Sequence, residues 1–164
     1  MTTLVPSIKS LAPDDYALIE SEHARMEWFL HDIKDTCLHL DDQLACDSCG
    51  SLKLASCYGR LPSFLHNLME ITDKHFHHEE SIMLSRPHVT ENYEYFRVHR
   101  QAHLDIMQAL KEIAGDCASF LQQKVIADGY RQLYQRVSGL FEDHDRLFDD
   151  PFIQSTYASK VGSF

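Results

Sequence analysis

The sequence predicts an all-α fold, an up-down-up-down antiparallel four-helix bundle. Three observations carry that expectation. Apolar residues recur at spacings of 3 and 4 along four separate segments, the period of a helix that packs on one face. No segment alternates with period two for long enough to make a strand. The 164 residues include only 6 glycines and 5 prolines, so few positions interrupt a helix. The length suits one domain with a core of its own.

Residues 1–12 read as an irregular arm. Pro13 with Asp14 and Asp15 opens the first helix, with acids at the positive end of its dipole. Its stripe runs Tyr16, Ile19, His23, Met26, Leu30, Ile33, Cys37 and Leu40. Residues 41–58 lose the period, carry Cys46, Cys49, Gly50 and Cys57, and read as a structured connection. The second helix follows with Leu61, Leu65, Leu68, Thr72, His75, Glu79 and Ile82, and stops by Ser85 because Arg86 precedes Pro87. Thr90 caps the third helix, whose stripe is Phe96, His99, His103, Ile106, Leu110, Ile113, Cys117 and Phe120. Gly115 and the Asp128–Gly129 pair both qualify as the next turn. Phase favours the pair, since the stripe continues through Cys117 and Phe120. The fourth helix reads Tyr130, Leu133, Val137, Leu140, His144 and Leu147, and ends near Asp149–Pro151. The domain is thus expected over 1–152, with 153–164 as a tail or a linker to an output domain.

Composition narrows the partners. Lys plus Arg is 15 and Asp plus Glu is 25, a net charge of −10, which argues against nucleic acid or an anionic membrane. The N-terminus has no apolar signal region and no apolar run reaches membrane length. Five cysteines fit poorly with a fully paired secreted framework, so a cytoplasmic location is expected. The unusual count is histidine, 11 residues.

The four stripes carry polar residues where apolar ones belong: His23, then His75 and Glu79, then His99 and His103, then His144. Asp149 follows His144 by five residues. Residues at i and i+4 lie one above the other on a helix face, so His75/Glu79 and His99/His103 each present two donors to one point. A single such pair is weak evidence. Three H-x-x-x-E pairs occur, His23/Glu27, His66/Glu70 and His75/Glu79, but only the last has both members on a stripe. A lone stripe histidine is usually a satisfied core residue. Five of them with two acids are costly to bury without a shared partner, and a metal is that partner. Seven donors exceed the four positions of zinc and the six of an octahedral ion, so two metals are expected. Carboxylates span two metals and imidazoles do not, which makes Glu79 and Asp149 the natural bridges. Imidazole-rich coordination suits iron better than magnesium or calcium.

The segments IESEHARMEWF, HFHHEE, HRQAH and HDRLFD closely resemble the hemerythrin family over roughly residues 14–152. They supply that family's ligand set in order: His23, His75, Glu79, His99, His103, His144 and Asp149. The resemblance implies that His99, His103 and His144 complete one iron. His23 and His75 hold the other, which keeps an open position where dioxygen or a small anion binds. Both the first-to-second and third-to-fourth connections are longer than in the oxygen-carrying members. They lie at the same end of such a bundle, so the bundle should extend past the metals there.

The implied function is a non-haem di-iron module that binds dioxygen, for sensing or for carriage. Hemerythrin-like domains in bacteria are often fused to signalling modules such as diguanylate cyclases, so a C-terminal output domain or a homodimer partner is in view. Five imidazoles with two carboxylates differ from ferritin-like oxidases, which use four carboxylates and two histidines. No spare acid or base lies on the stripes, so no catalytic residue is assigned. The alternative is an enzyme, a peroxidase or oxidase acting on peroxide, nitric oxide or iron. His31, His39, His66, His77, His78 and His88 are expected at the surface. Trp28, Phe64, Phe76, Phe96 and Phe141 are expected in the core. Cys37, Cys46, Cys49 and Cys57 form C-x8-C-x2-C-x7-C, which could hold zinc or a disulfide or be plain core and loop. Cys117 reads as core.

Overall fold

Helices form where the apolar stripes run. The computed structural model describes residues 12–37, 46, 49–87, 89–122 and 126–149, and regular structure among them is entirely helical. α1 spans Pro13–Thr36, α2 Ser51–Leu84, α3 Glu94–Gln122 and α4 Ile126–His144, and a single π-helical turn, Asp145–Asp149, continues α4. Each helix packs against its sequence neighbours and α4 closes the ring against α1, with α2 also touching α4 across the middle. This is the antiparallel four-helix bundle the stripes predict. Among the described residues no helix is long and apolar enough to cross a membrane. The expected tail at 153–164 and most of the N-terminal arm lie outside the described residues, as do His39 and His88.

Three boundaries differ from the sequence expectation. α2 begins at Ser51, so residues 51–58 are helix and only the first part of the expected connection 41–58 remains. The stripe explains it: buried Cys57 precedes buried Leu61 by four residues, extending the seam backwards. Pro62, which ordinarily marks a first turn, sits inside the helix. α3 begins at Glu94, past Thr90, whose carbonyl instead accepts the Tyr93 N–H at 2.9 Å. Gly115 is inside α3 and Asp128–Gly129 inside α4, so neither is the turn: α3 runs to Gln122 and α4 starts at Ile126. Gly129 serves close packing: a Cβ there would come 3.2 Å from Leu61 Cδ2 and 3.4 Å from Phe120 Cβ.

The core forms two apolar clusters. The larger holds Met26, Ile33, Leu61, Leu68, Leu110 and Tyr130 among others; the smaller holds Ile19, Ile82, Met83, Val89 and Phe96. The polar stripe residues lie between them along every helix. The larger cluster occupies the end expected to be long: α3 runs on ~28 Å from His103 to Gln122 at ~1.5 Å per residue. Tyr130 is fully buried and satisfies its hydroxyl by donating to the Cys57 carbonyl at 2.8 Å. Phe64, Phe76, Phe96, Phe141 and Cys117 are core, as expected, but Trp28 is 60% exposed. It follows Met26 by two residues, about 200° around the helix, and so faces outward. His31, His66, His77 and His78 are exposed.

Candidate metal centre

All seven stripe donors meet in the layer between the two apolar clusters. Two groups each bring their ligand atoms within a single ion's reach: Glu79, His99, His103 and His144, and His23, His75, Glu79 and Asp149. Glu79 belongs to both. Its Oε2 lies 3.0 Å from His103 Nε2 and 3.5 Å from His99 Nε2, while its Oε1 lies 3.3 Å from His75 Nε2. Asp149 divides in the same way, with Oδ2 3.1 Å from His23 Nε2 and Oδ1 3.0 Å from His144 Nε2 and 3.4 Å from His99 Nε2. Each carboxylate therefore turns one oxygen toward the His99, His103 and His144 side and the other toward the His23 and His75 side.

The donor set fits metal better than it fits protein hydrogen bonding. Glu79 Oε1, Asp149 Oδ1 and His144 Nε2 are buried with no hydrogen-bond partner of acceptable geometry. An unsatisfied buried polar atom costs about 1–3 kcal/mol, more when charged. Yet these atoms sit within contact distance of one another, so they aim at a shared centre. Metal–nitrogen bonds of about 2.1 Å place neighbouring ligands roughly 3.0 Å apart, and His23 Nε2 stands 3.1 Å from His75 Nε2. Thr72, the remaining polar residue on the α2 seam, is different: its hydroxyl donates to the Leu68 carbonyl at 2.7 Å.

Outer partners orient the rings. His75 Nδ1 donates to Glu22 Oε2 at 2.9 Å, and His103 Nδ1 donates to Glu80 Oε1 at 2.8 Å. A carboxylate only accepts, so Nδ1 carries the proton and the Nε2 lone pair points inward. Glu22 also contacts exposed His78. Neither acid was legible as a partner, because each lies beside a ligand in sequence, off the stripe. Phe76 stacks on His103 with ring centroids 3.9 Å apart, and Phe148 stacks on His99 and His144 at 5.1 and 5.3 Å. Tyr95 donates its hydroxyl to the Phe148 carbonyl at 3.2 Å, tying the π turn to α3.

Charge follows from this crowding. Burial opposes the charged form of His75, but the Glu22 and Glu79 carboxylates raise it to about 10. Burial also opposes the His144 cation, and Asp149 with Glu79 raises it to about 9. The histidines in turn hold Glu79 and Asp149 below the usual carboxylate range despite their burial. Without metal the layer is thus neutralised by protons, which a metal must displace.

The two sides differ in access. The His23 side chain is 20% exposed, whereas those of His75, His99, His103 and His144 are 3% or less. His23 lines a groove of about 410 Å³ between α1 and α4, with Met26, Glu27, Tyr134, Phe141 and Asp145. Asp145 is an acid the stripes did not reveal: burial and the neighbouring Asp149 push its carboxyl up to about 7.

No curated protein and no solved structure matches the chain. The family model for the hemerythrin HHE cation-binding domain matches residues 14–152, and the chain belongs to that metal-binding family.

Proposed function

We propose that the chain is a non-haem di-iron module that binds dioxygen, acting as a sensor or carrier. The observation that carries this is the unequal division of histidines across two shared carboxylates, three on a closed side and two on a side that opens to a groove. In this reading His99, His103 and His144 would hold one iron, His23 and His75 the other, and Glu79 and Asp149 would serve both. Bound iron would supply one-electron steps and a vacant position for a diatomic ligand or small anion.

The chain's own residues do the rest. Glu22 and Glu80 fix the rings of His75 and His103. Phe76 and Phe148 cover the three-histidine side and keep water from it. The groove beside His23 admits the small ligand, and Met26, 5% exposed, forms part of its wall.

A second reading has one observation in its favour. Asp145, whose carboxyl is pushed up to about 7 by burial and Asp149, lines the groove with His23 and would be placed there to give or take a proton. That arrangement suits slow peroxide turnover. Mixing the reduced protein with oxygen and following its visible spectrum separates the two. A lasting adduct is expected for binding, and immediate oxidation with turnover of added peroxide for an enzyme. No spectral change at all would end both.

A further inference from the structure

The end of the bundle away from the smaller apolar cluster carries a group of side chains that the metal centre does not use. Cys37 is the C-cap of α1, Cys49 directly precedes the Gly50 N-cap of α2, and Cys57 lies two turns into α2. Cys37 and Cys57 belong to the larger core cluster, and Cys46 packs against it. We propose that Cys46 and Cys49 are a redox-active dithiol that closes reversibly to a disulfide by exchange with a low-molecular-weight disulfide.

The backbone supplies the geometry. The Cys49 N–H donates to the Cys46 carbonyl at 2.9 Å, closing a four-residue turn. Such turns hold their first and fourth Cα atoms within about 7 Å, and a disulfide needs about 4.4–6.8 Å. Both side chains are partly exposed, so a small reactant reaches them. The other three cysteines are unsuited to attack: Cys37 is 8%, Cys57 6% and Cys117 0% exposed. Burial also pushes the Cys57 thiol up, and that of Cys117 up to about 11.

A zinc site is the competing use of four cysteines. It needs their sulfurs on one ion at about 2.3 Å. Among the described residues, which include all five cysteines, the only groups of three or more donors that converge are the two in the metal layer. Cys37, Cys46 and Cys49 all lie near enough to Cys57 to raise its thiol, so the four cysteines share one end of the bundle, and the zinc measurement below separates the two uses. The cysteines are also remote from the metals: α2 is continuous, and Cys57 to His75 is ~27 Å at ~1.5 Å per residue.

The chemistry balances as ordinary exchange. One cysteine thiolate attacks a sulfur of the small disulfide, forming a mixed disulfide and expelling one thiolate. The second cysteine loses its proton and attacks the protein-side sulfur, forming the Cys46–Cys49 bond and expelling the other thiolate. Each released thiolate takes up one proton lost from a cysteine. Two electrons pass from the protein dithiol to the small disulfide, leaving two small thiols. The chain then holds a thiol-based redox input at one end and a metal layer in its middle, each able to respond alone.

The test uses the full, metal-loaded chain equilibrated in glutathione buffers of increasing oxidation, trapped by alkylation and mapped by mass spectrometry. Two of the five thiols should be lost together, return with dithiothreitol, and leave the visible spectrum of the metal centre unchanged. Cys37, Cys46 and Cys49 share the tryptic peptide 35–53, so fragmentation within it should assign the bridge to Cys46 and Cys49. Cys46→Ser and Cys49→Ser should each leave the remaining cysteine as a thiol or a glutathione mixed disulfide. If either variant misfolds, mapping of the wild type decides alone. The proposal is overturned by a bridge between Cys37 and Cys57, by no paired loss of thiols, or by one zinc per chain that Cys46→Ser removes.

Discussion

Asp149 Oδ1 stands 3.0 Å from His144 Nε2, although five residues separate them in sequence. In an α-helix such residues lie about 140° apart around the axis and cannot share a target. The π-helical turn Asp145–Asp149 removes that conflict by widening the last turn, so Asp149 is fully buried in the layer. Deleting Leu147, which is 57% exposed, should let the turn revert to α geometry. Metal content should fall while helix content by circular dichroism is kept. Full metal content in the shortened protein would show that the π turn is incidental.

The proposed bridging by the two carboxylates implies an order of severity. Glu79→Ala and Asp149→Ala should each lose both metals, since each offers one oxygen to either group. His31→Ala and His66→Ala, at exposed positions, should keep wild-type metal content. Elemental analysis of the four purified variants checks this.

Glu22 and Glu80 act through the histidines they hold. Glu22→Ala and Glu80→Ala should weaken metal retention about 10–100-fold without unfolding the chain. Competition against a chelator of known affinity measures it, and unchanged retention in both would remove them from the account.

Stability should depend on pH in opposite senses at the two ends of the range. In the metal-free protein His75 and His144 titrate at about 10 and about 9, against about 6.5 when unfolded. The folded state therefore binds more protons between these values, so stability is full below about 6.5 and falls as pH rises toward 9–10. Glu79 and Asp149 are lowered instead; their contribution is present above about 4 and lost as pH falls further. Metal loading should reverse the alkaline trend, since deprotonated histidines bind metal best. Urea midpoints with and without metal, across that range, check both signs.

The convergence of His23, His75, Glu79, His99, His103 and His144 was legible because each sits on the same periodic stripe as its helix's core residues, and Asp149 was reached only by its spacing from His144. Even the long end was readable from the separation of His23 from His75 and of His103 from His144. The groove was not, because it is lined jointly by residues of α1 and α4, which no single stripe encodes. Asp145, Glu22 and Glu80 were missed for a related reason: they lie beside ligands in sequence and touch the layer from off the seam. Only the spacing of five between His144 and Asp149 hinted at the π turn. The true start of α2 was hidden because Cys57 reads as a loop cysteine until it is counted as apolar.

Access to the two-histidine side should run through the groove. Ala24 lines it on α1 and is exposed, so Ala24→Phe should narrow the route without touching a ligand. Azide association with the oxidised protein, followed by stopped flow, should slow several-fold at unchanged metal content. Equal rates would place the route elsewhere.

The central claim is that this layer holds two iron ions per chain. Elemental analysis of the protein purified without added metal tests it most directly. The account predicts two irons per chain, no haem, and loss of both in Glu79→Ala. A single tightly bound zinc in the layer, or no metal in a folded protein, would contradict it.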